Sequence, residues 1–315
     1  MDIHIFLRDK DTANNFLPHH FEPLTRAFPE ITPVFHQRRD SLREALPEAE
    51  LIDTWFFDQE WFEQAPKLRH VFTPAAGRDW VHQDPTGRVS TWYGRFHGPM
   101  IAESMLGMIF HFTREMNAML ELQRQHIWDR NRQENTRLLG RQTVLILGYG
   151  NIGRTCARYL RTMGCRVLAH QRAHRQGTDP ETGAEFIHDD ALMDALPLAD
   201  HVVMLLPGSK ENYGFMTRQK LAVMKQGACI YNFGRGTTLL EADLLWALDE
   251  GPVAAAGIDV TEKEPLGTDS GLWDHPAVVL HPHSSCVFQE YQILHVEELI
   301  EYLRKARIFA DSSQE

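Results

Sequence analysis

Residues 144–172 contain the pattern that most constrains the fold: a short apolar run, a glycine-rich turn, a helical repeat and a second apolar run. Val144 to Leu147 lead directly into a G-x-G-x-x-G motif, which consists of Gly148, Tyr149, Gly150, Asn151, Ile152 and Gly153. The first glycine permits a tight turn, the second lets a pyrophosphate approach the backbone, and the third lets helix and strand pack closely. The stretch therefore predicts dinucleotide binding at a helix N-terminus, with a structural turn or another nucleotide-like ligand as alternatives.

Length and composition indicate a globular protein of two domains. The chain has 315 residues, of which 43% are hydrophobic and 24% charged, and no apolar run approaches the roughly 18 residues of a membrane span. A net charge of -11 disfavours nucleic-acid or anionic-membrane partners and favours a small-molecule substrate. The N-terminal residues lack a secretory pattern, so we expect a cytoplasmic location. The four cysteines lack metal-ligand spacing and are expected to be reduced thiols.

The first hundred residues predict a smaller α/β unit, with strands expected at 2–7, 34–37 and 68–72. The third strand leads into a turn of small residues that ends in Ala76 and Gly77. Exposed backbone N–H groups in such a turn suit a substrate carboxylate. An ordinary strand-to-helix turn is the alternative.

A long helix is expected from Ile101 to about Leu122, after a domain boundary near Pro99. Strands and helices then alternate regularly, which predicts a parallel sheet covered on both faces. Ligands bind outside the carboxyl ends of the strands in such sheets. The residues that follow successive strands are the glycine motif, Arg172, Pro207 with Gly208, Arg235, Asp259 with Glu264, and His283.

Arg235, Glu264 and His283 each follow a different strand and suit reduction of a 2-oxo acid. The Arg235 guanidinium can bind a carboxylate and polarise the adjacent carbonyl, while His283 gives a proton to the developing alkoxide. Glu264 would orient the His283 ring and favour its charged form. Taken singly, each residue could instead be structural. The spacing of His281 and His283 also suggests a metal site, but no third and fourth ligand supports one.

The chain resembles the D-isomer-specific 2-hydroxyacid dehydrogenase family, which includes glyoxylate and hydroxypyruvate reductases. The resemblance runs from about Leu68 to Ser285, and it is carried by LILGYGNIG, Asn232 to Gly236, Gly257 to Val260, Glu264 to Leu266, Leu272-Trp273 and His281 to His283. It implies that Arg235, Glu264 and His283 are catalytic and that Ala76 and Gly77 bind the substrate carboxylate. It also implies that Asp259 and the Phe233 carbonyl bind the nicotinamide carboxamide.

The same resemblance implies a Rossmann-type domain at 101–286, inserted in a flavodoxin-like α/β substrate domain made of 1–100 and 287–315, with the reaction in the cleft between them. The long helix after Pro99 is expected to form a homodimer. Three positions depart from the family pattern: Arg78 follows the Ala-Gly pair, Ser209-Lys210 replaces a threonine, and His281 replaces a threonine before Pro-His.

The second strand of the glycine-motif unit ends without the acidic residue that usually binds the ribose 2′-hydroxyl of NAD. Gln171 and Arg172 occupy that place, with Arg175 close by. Arg172, together with Arg175, suits a 2′-phosphate, so the sequence predicts NADPH over NADH. Solvated loop arginines are the alternative.

Two functions of other classes are alternatives to the dehydrogenase. A nucleotide-sensing interaction protein on the same fold would need no set of Arg235, Glu264 and His283. A methyltransferase would use the glycine turn for an adenosyl ligand, but gives no reason for that set either. The sequence leaves the choice among glyoxylate, hydroxypyruvate, phenylpyruvate and branched-chain 2-oxo acids open.

Overall fold

The computed structural model describes residues 1–8, 15–131, 136–173 and 175–306. The chain divides into two compact units, Met1–His97 with Val287–Glu315, and Gly98–Cys286. The second unit is thus inserted into the sequence of the first. A helix begins at Gly98, the first residue of the second unit, and Pro99 lies in its first turn, where a missing backbone N–H has no cost.

The first unit contains a parallel sheet, whose described strands are five in the order β2-β1-β3-β4-β5. This is the flavodoxin-like order, in which the chain changes direction across the sheet beside β1. The strands are β1 Asp2–Phe6, β2 Thr32–Phe35, β3 Leu51–Thr54, β4 His70–Thr73 and β5 Ser90–Tyr93. The helices are α1 Glu22–Ala27, α2 Arg39–Ala45, α3 Trp61–Gln64 and, after the inserted unit, α10 Tyr291–Lys305.

The sequence analysis missed β3 and β5. All of β3 is buried, yet it contains Asp53, which lowered its strand signal. The Asp53 carboxylate is paired with an imidazole, since its Oδ2 lies 2.9 Å from His295 Nε2. This partner lies 242 residues away in sequence, so no local pattern reveals it.

The second unit contains a larger parallel sheet, whose described strands are seven in the order β12-β11-β10-β9-β6-β7-β8. The strands are β6 Thr143–Leu147, β7 Arg166–His170, β8 Glu185–Ile187, β9 His201–Met204, β10 Ala228–Asn232, β11 Val253–Ile258 and β12 Val278–Leu280. The helices are α4 Gly98–Thr113, α5 Met116–Arg124, α6 Asn151–Thr162, α7 Leu192–Ala195, α8 Arg218–Ala222 and α9 Glu241–Asp249. This strand order is that of a Rossmann-type sheet, so the predicted fold class is confirmed.

The central strand β6 explains why this sheet is covered on both faces. Val144 and Ile146 pack into one apolar cluster, while Leu145 and Leu147 pack into a second. Successive side chains of a strand point to opposite faces, so an uninterrupted apolar run needs a core on each side. The carboxyl ends of β6, β7, β9, β10, β11 and β12 then meet at one edge of the sheet.

The long helix predicted from Ile101 to Leu122 is instead two helices. The backbone is left-handed at Glu115, with φ 50°, which separates α4 from α5. The buried side of α4 extends through Ile109 to Thr113, whereas Leu122 is the one buried residue of α5. The helix is therefore interrupted where it leaves the core. Among the described residues, no helix combines the length and the apolar character that crossing a membrane requires.

Candidate active site

The three glycines of the turn after β6 have different surroundings. A Cβ atom on Gly148, whose φ is 101°, would lie 2.8 Å from the Leu205 backbone, and one on Gly153 would lie 2.4 Å from the Gly148 carbonyl oxygen. Internal packing therefore requires glycine at these two positions. A Cβ on Gly150 would meet no atom within 4 Å. Packing does not require glycine there, and the open space suits the approach of a ligand to the backbone.

The other residues of the turn lie just before helix α6 or in its first turn. Tyr149 is buried, with its hydroxyl 2.5 Å from Thr182 Oγ1 and the Arg154 guanidinium 5.5 Å from its ring centre. Its side chain thus belongs to the core, which leaves only its backbone for a ligand. Asn151 is exposed and Ile152 half-buried in the first turn of α6.

Arg172 follows β7 and is tied to the end of β9. Its Nη2 donates to Asn212 Oδ1, at 2.5 Å, and Asn212 Nδ2 donates to the Pro207 carbonyl oxygen, at 2.9 Å. Asn212 is buried, and the sequence analysis missed it. Gln171 Nε2 is buried and has no hydrogen-bond partner among the described residues. The end of β7 therefore combines a fixed cation with an unsatisfied donor, and Arg175 lies exposed beyond it.

A carboxylate also lies near Arg172. The pKa of Glu211 is lowered by the Ser209 hydroxyl and its own backbone N–H, with the charge of Arg172 contributing further. An anion that bound at Arg172 would therefore compete with this exposed side chain.

Arg235 is positioned by close backbone packing on both sides. A Cβ on Gly234 would lie 2.5 Å from the Leu206 carbonyl oxygen, and one on Gly236 only 1.9 Å from the backbone of Thr261. The buried Asn232 accepts from Gly234 N at 3.1 Å and donates to the Arg235 carbonyl oxygen at 3.1 Å. The Gly-Arg-Gly turn is consequently wedged between the ends of β9 and β11.

His283 and Glu264 form a hydrogen-bonded pair. His283 Nδ1 lies 2.8 Å from Glu264 Oε2, and Glu264 Oε1 accepts from Thr261 N at 3.1 Å. The hydrogen bond to Glu264 is the largest cause of a raised pKa of His283. Burial opposes this rise, the charges of Glu264 and Asp259 add to it, and Arg235 opposes it. The protonated imidazole is thus favoured, as a proton donor requires.

Burial by itself would raise the pKa of Glu264, but the hydrogen bond and charge of His283, the Thr261 N–H and the charge of Arg235 together lower it. The two shifts set a pH window. The raised pKa of His283 stabilises the fold below the ordinary imidazole pKa, and this contribution is lost as pH rises through the raised value. The lowered pKa of Glu264 stabilises the fold above the ordinary carboxyl pKa, and this is lost as pH falls through the lowered value. The pair is therefore most stabilising at pH values between the ordinary carboxyl pKa and the ordinary imidazole pKa.

Asp259 holds the turn that carries His283. Its buried carboxylate accepts from Ser284 N at 2.9 Å, from Ser285 N at 3.0 Å and from Ser285 Oγ at 2.5 Å. The His283 N–H donates to the Asp259 carbonyl oxygen at 2.8 Å, and His283 itself has the left-handed φ of 52°. A non-glycine residue in that conformation is strained and needs such support. The sequence analysis missed both serines, which sit directly beside a recognisable motif.

The structure also places four other residues that the sequence singled out. Phe233 is buried after β10 and donates its N–H to the Met204 carbonyl oxygen at 3.0 Å. Ala76 and Gly77 belong to the first unit and follow β4. The imidazole of His281 has its Nδ1 4.0 Å from Asp259 Oδ1. In the part of the chain that the structure describes, no group of three or more His, Cys, Asp or Glu side chains could hold a metal ion.

Comparison with known proteins gives the family. A sequence model described as "D-isomer specific 2-hydroxyacid dehydrogenase, NAD binding domain" matches residues 106–285. The chain belongs to this family. The match covers β6 to β12 and the strand ends of the second unit described above, and it removes the methyltransferase alternative.

Relatives and a solved structure agree with this membership. D-3-phosphoglycerate dehydrogenase of Mycobacterium tuberculosis is 32% identical over 262 residues, covering 81% of this chain and 48% of that protein. Glyoxylate/hydroxypyruvate reductase A of Serratia proteamaculans is 30% identical over 247 residues, covering 74% of this chain and 75% of that protein. A crystal structure with a similar fold is that of an NADPH-dependent glyoxylate/hydroxypyruvate reductase from Sinorhizobium meliloti in complex with NADP and sulfate. It has a TM-score of 0.79 at 27% identity, and the match covers 98% of this chain and 94% of that chain. The chain spans about half the length of the mycobacterial relatives it matches.

The Glu264–His283 pair leads to a prediction that can be tested without an activity assay. Replacement of Glu264 by Gln removes the charge and the strong acceptor that raise the pKa of His283, while the opposing burial remains. We expect the pKa of His283 to fall. NMR titration of its ring resonances measures this pKa, and their absence from the spectrum of His283→Gln assigns them.

Glu262→Gln is the matched control, because it removes an equal charge two residues away. Glu262 Oε1 lies 3.5 Å from the Tyr213 hydroxyl and does not contact the imidazole. An unchanged His283 pKa in Glu264→Gln, or an equal fall in Glu262→Gln, would contradict the pairing.

Proposed function

We propose that the protein uses NADPH to reduce a 2-oxo acid to the D-2-hydroxy acid, and catalyses the reverse oxidation. The observation that carries this proposal is the hydrogen bond between His283 Nδ1 and Glu264, beside Arg235, at the strand ends of a 2-hydroxyacid dehydrogenase fold. A protonated imidazole near a fixed guanidinium suits a substrate that carries a carboxylate next to a carbonyl.

The residues at the strand ends fit a nicotinamide dinucleotide. The turn from Gly148 to Gly153 offers open space at Gly150 and the N-terminus of the 12-residue α6 for the pyrophosphate. The unsatisfied Gln171 Nε2 and the Arg172 guanidinium suit the ribose and its 2′-phosphate, with Arg175 beside them. Pro207, the Phe233 carbonyl and Asp259 would hold the remainder. When bound, the cofactor supplies the hydride that the carbonyl carbon accepts.

The side chains of this chain perform the other parts of the reaction. Glu264 engages His283 Nδ1, so the second ring nitrogen, Nε2, is the atom that gives its proton to the developing alkoxide. The Arg235 guanidinium holds the substrate carboxylate and polarises the carbonyl oxygen. We propose that the N–H groups of Ala76 and Gly77 bind a substrate carboxylate. In the oxidative direction, neutral His283 accepts the proton of the hydroxyl group.

We also propose a homodimer that uses the region of α4 and α5. This region exposes several large apolar side chains, among them Phe110, Met116, Leu120, Ile127 and Trp128, of which Trp128 is 89% exposed. Apolar residues clustered in this way are typical of an interface between protein subunits.

The catalytic role of His283 is tested by its replacement with Ala. With NADPH and glyoxylate, hydroxypyruvate, pyruvate, phenylpyruvate and a branched-chain 2-oxo acid as substrates, we expect turnover to fall about 100- to 10,000-fold, the range of general acid catalysis. Cofactor affinity should stay nearly unchanged, because His283 serves the substrate. Loss of absorbance at 340 nm measures turnover, and fluorescence titration measures NADPH binding.

His275→Ala is the control, since His275 Nε2 also contacts a carboxylate, 3.3 Å from Asp249 Oδ1, but precedes β12 at the opposite edge of the sheet. If His283→Ala kept wild-type rates at every pH, His283 would be excluded as the general acid. A wild type that binds NADPH but oxidises it with none of the substrates would favour the nucleotide-sensing alternative.

The preference for NADPH is tested through Arg172. Replacement of Arg172 by Ala removes a charge-assisted contact to the 2′-phosphate, so we expect kcat/KM for NADPH to fall about tenfold or more, while kcat/KM for NADH changes little. Arg141→Ala removes an equal charge at the amino end of β6 and should alter neither value. A wild type that prefers NADH, or a preference that Arg172→Ala leaves unchanged, would refute the phosphate contact.

A further inference from the structure

The turn that follows β4 is held in one shape by the end of β5. The N–H of Gly94 donates to the carbonyl oxygens of Thr73, at 2.9 Å, and Ala75, at 3.1 Å. The Thr73 hydroxyl accepts from Ala75 N at 3.3 Å. A Cβ on Gly94 would lie only 2.2 Å from the Pro74 carbonyl oxygen, so a side chain there would displace the turn.

This turn presents backbone donors without acceptors. Within the described residues, the N–H groups of Ala76 and Gly77 donate no hydrogen bond. Ala76 is exposed and Gly77 half-buried, so both can meet a ligand from solvent. Adjacent N–H groups in a small-residue turn favour an anion.

Arg78 places a cation directly after these donors. Its guanidinium lies over the Tyr93 ring, 5.3 Å from the ring centre. Tyr93 is fixed at both ends, because it pairs with Thr73 in the sheet and its hydroxyl donates to the Val81 carbonyl oxygen at 2.7 Å. Consecutive Cα atoms are about 3.8 Å apart, so the guanidinium is within one side chain's length of the Gly77 N–H.

A cation in this place has a chemical consequence. A substrate carboxylate bound at the turn would be satisfied by its N–H groups, so it leaves the Arg78 guanidinium available for another anion. Its stacking on Tyr93 limits the freedom that binding would otherwise remove. In a chain with net charge -11, a 2-oxo acid with two negative groups gains most from one local cation.

We propose that Arg78 selects 2-oxo acids that carry a second anionic group, a carboxylate or a phosphate. This inference rests on the proposed function, because it assigns the substrate class of the same reaction. The guanidinium fork matches both groups bidentately, and an aliphatic residue at this position would leave the second anion without a partner.

The test compares substrates that share a carbon skeleton, with and without the second charge. Oxaloacetate is paired with 2-oxobutyrate, 2-oxoglutarate with 2-oxopentanoate, and 3-phosphohydroxypyruvate with hydroxypyruvate. We expect the wild type to have the higher kcat/KM for the doubly anionic member of at least one pair, and that pair distinguishes carboxylate from phosphate. Arg78→Ala should lower that value about tenfold or more, and leave the singly charged member within about twofold.

Arg78→Lys should retain part of the preference, since it keeps the charge but loses the fork. Arg69→Ala is the matched control, because Arg69 is an exposed arginine just before β4, at the opposite end of the strand, and it should change neither substrate. No preference in the wild type, or an equal loss for both members of a pair in Arg78→Ala, would overturn the role of Arg78 while leaving the proposed reaction intact.

A binding measurement separates this inference from the proposed reaction. Calorimetry with NADP⁺ present compares D-malate, D-2-hydroxyglutarate and D-3-phosphoglycerate with D-2-hydroxybutyrate, D-2-hydroxypentanoate and D-glycerate. Tighter binding of a doubly anionic acid that Arg78→Ala abolishes would support the anion site even if none of the 2-oxo acids were reduced, a result that would refute the proposed function alone. Equal binding of both kinds of acid by the wild type would overturn the anion site.

Discussion

The turn after β12, which carries His283, depends on the buried carboxylate of Asp259. Both of its oxygens accept hydrogen bonds from the turn after β12, and its carbonyl oxygen accepts from His283 N. These bonds support the left-handed backbone of His283, whose φ is 52°. Each bond to a charged acceptor is worth about 1.5–3 kcal/mol, enough to offset a strain of about 1–3 kcal/mol. Without this carboxylate, the imidazole would lose the position from which it meets Glu264.

The remaining strand ends are fixed by backbone packing more than by side-chain contacts. Gly148 and Gly234 both pack against the segment after β9, and Gly236 packs against the segment after β11. Neighbouring strand ends therefore cannot move independently. This arrangement joins the turn predicted to bind the pyrophosphate, the guanidinium of Arg235 and the pair of Glu264 and His283 in one rigid edge, as preorganised catalysis requires.

Sequence reasoning succeeded where a local pattern encodes the structure. The apolar run of β6, the glycine spacing and the regular alternation after it predicted the Rossmann-type sheet, which is confirmed, and the position of each catalytic candidate after a strand. Features that depend on partners distant in sequence were not predicted. The strand β3 contains Asp53, whose partner His295 is far away in sequence, and the interruption of the long helix at Glu115 reflects the end of a buried face. Asn212 and Ser285 act through hydrogen bonds across the sheet edge, and neither belongs to a motif.

The proposed reaction adds hydride from NADPH to one face of the C2 carbonyl carbon of a 2-oxo acid, and a proton to the carbonyl oxygen. The most direct measurement uses NADPH carrying deuterium at both C4 positions, with mass spectrometry and chiral chromatography of the product. We expect one deuterium at C2 and the D-enantiomer of the 2-hydroxy acid. A product without deuterium at C2, or a racemic or L-configured product, would contradict it.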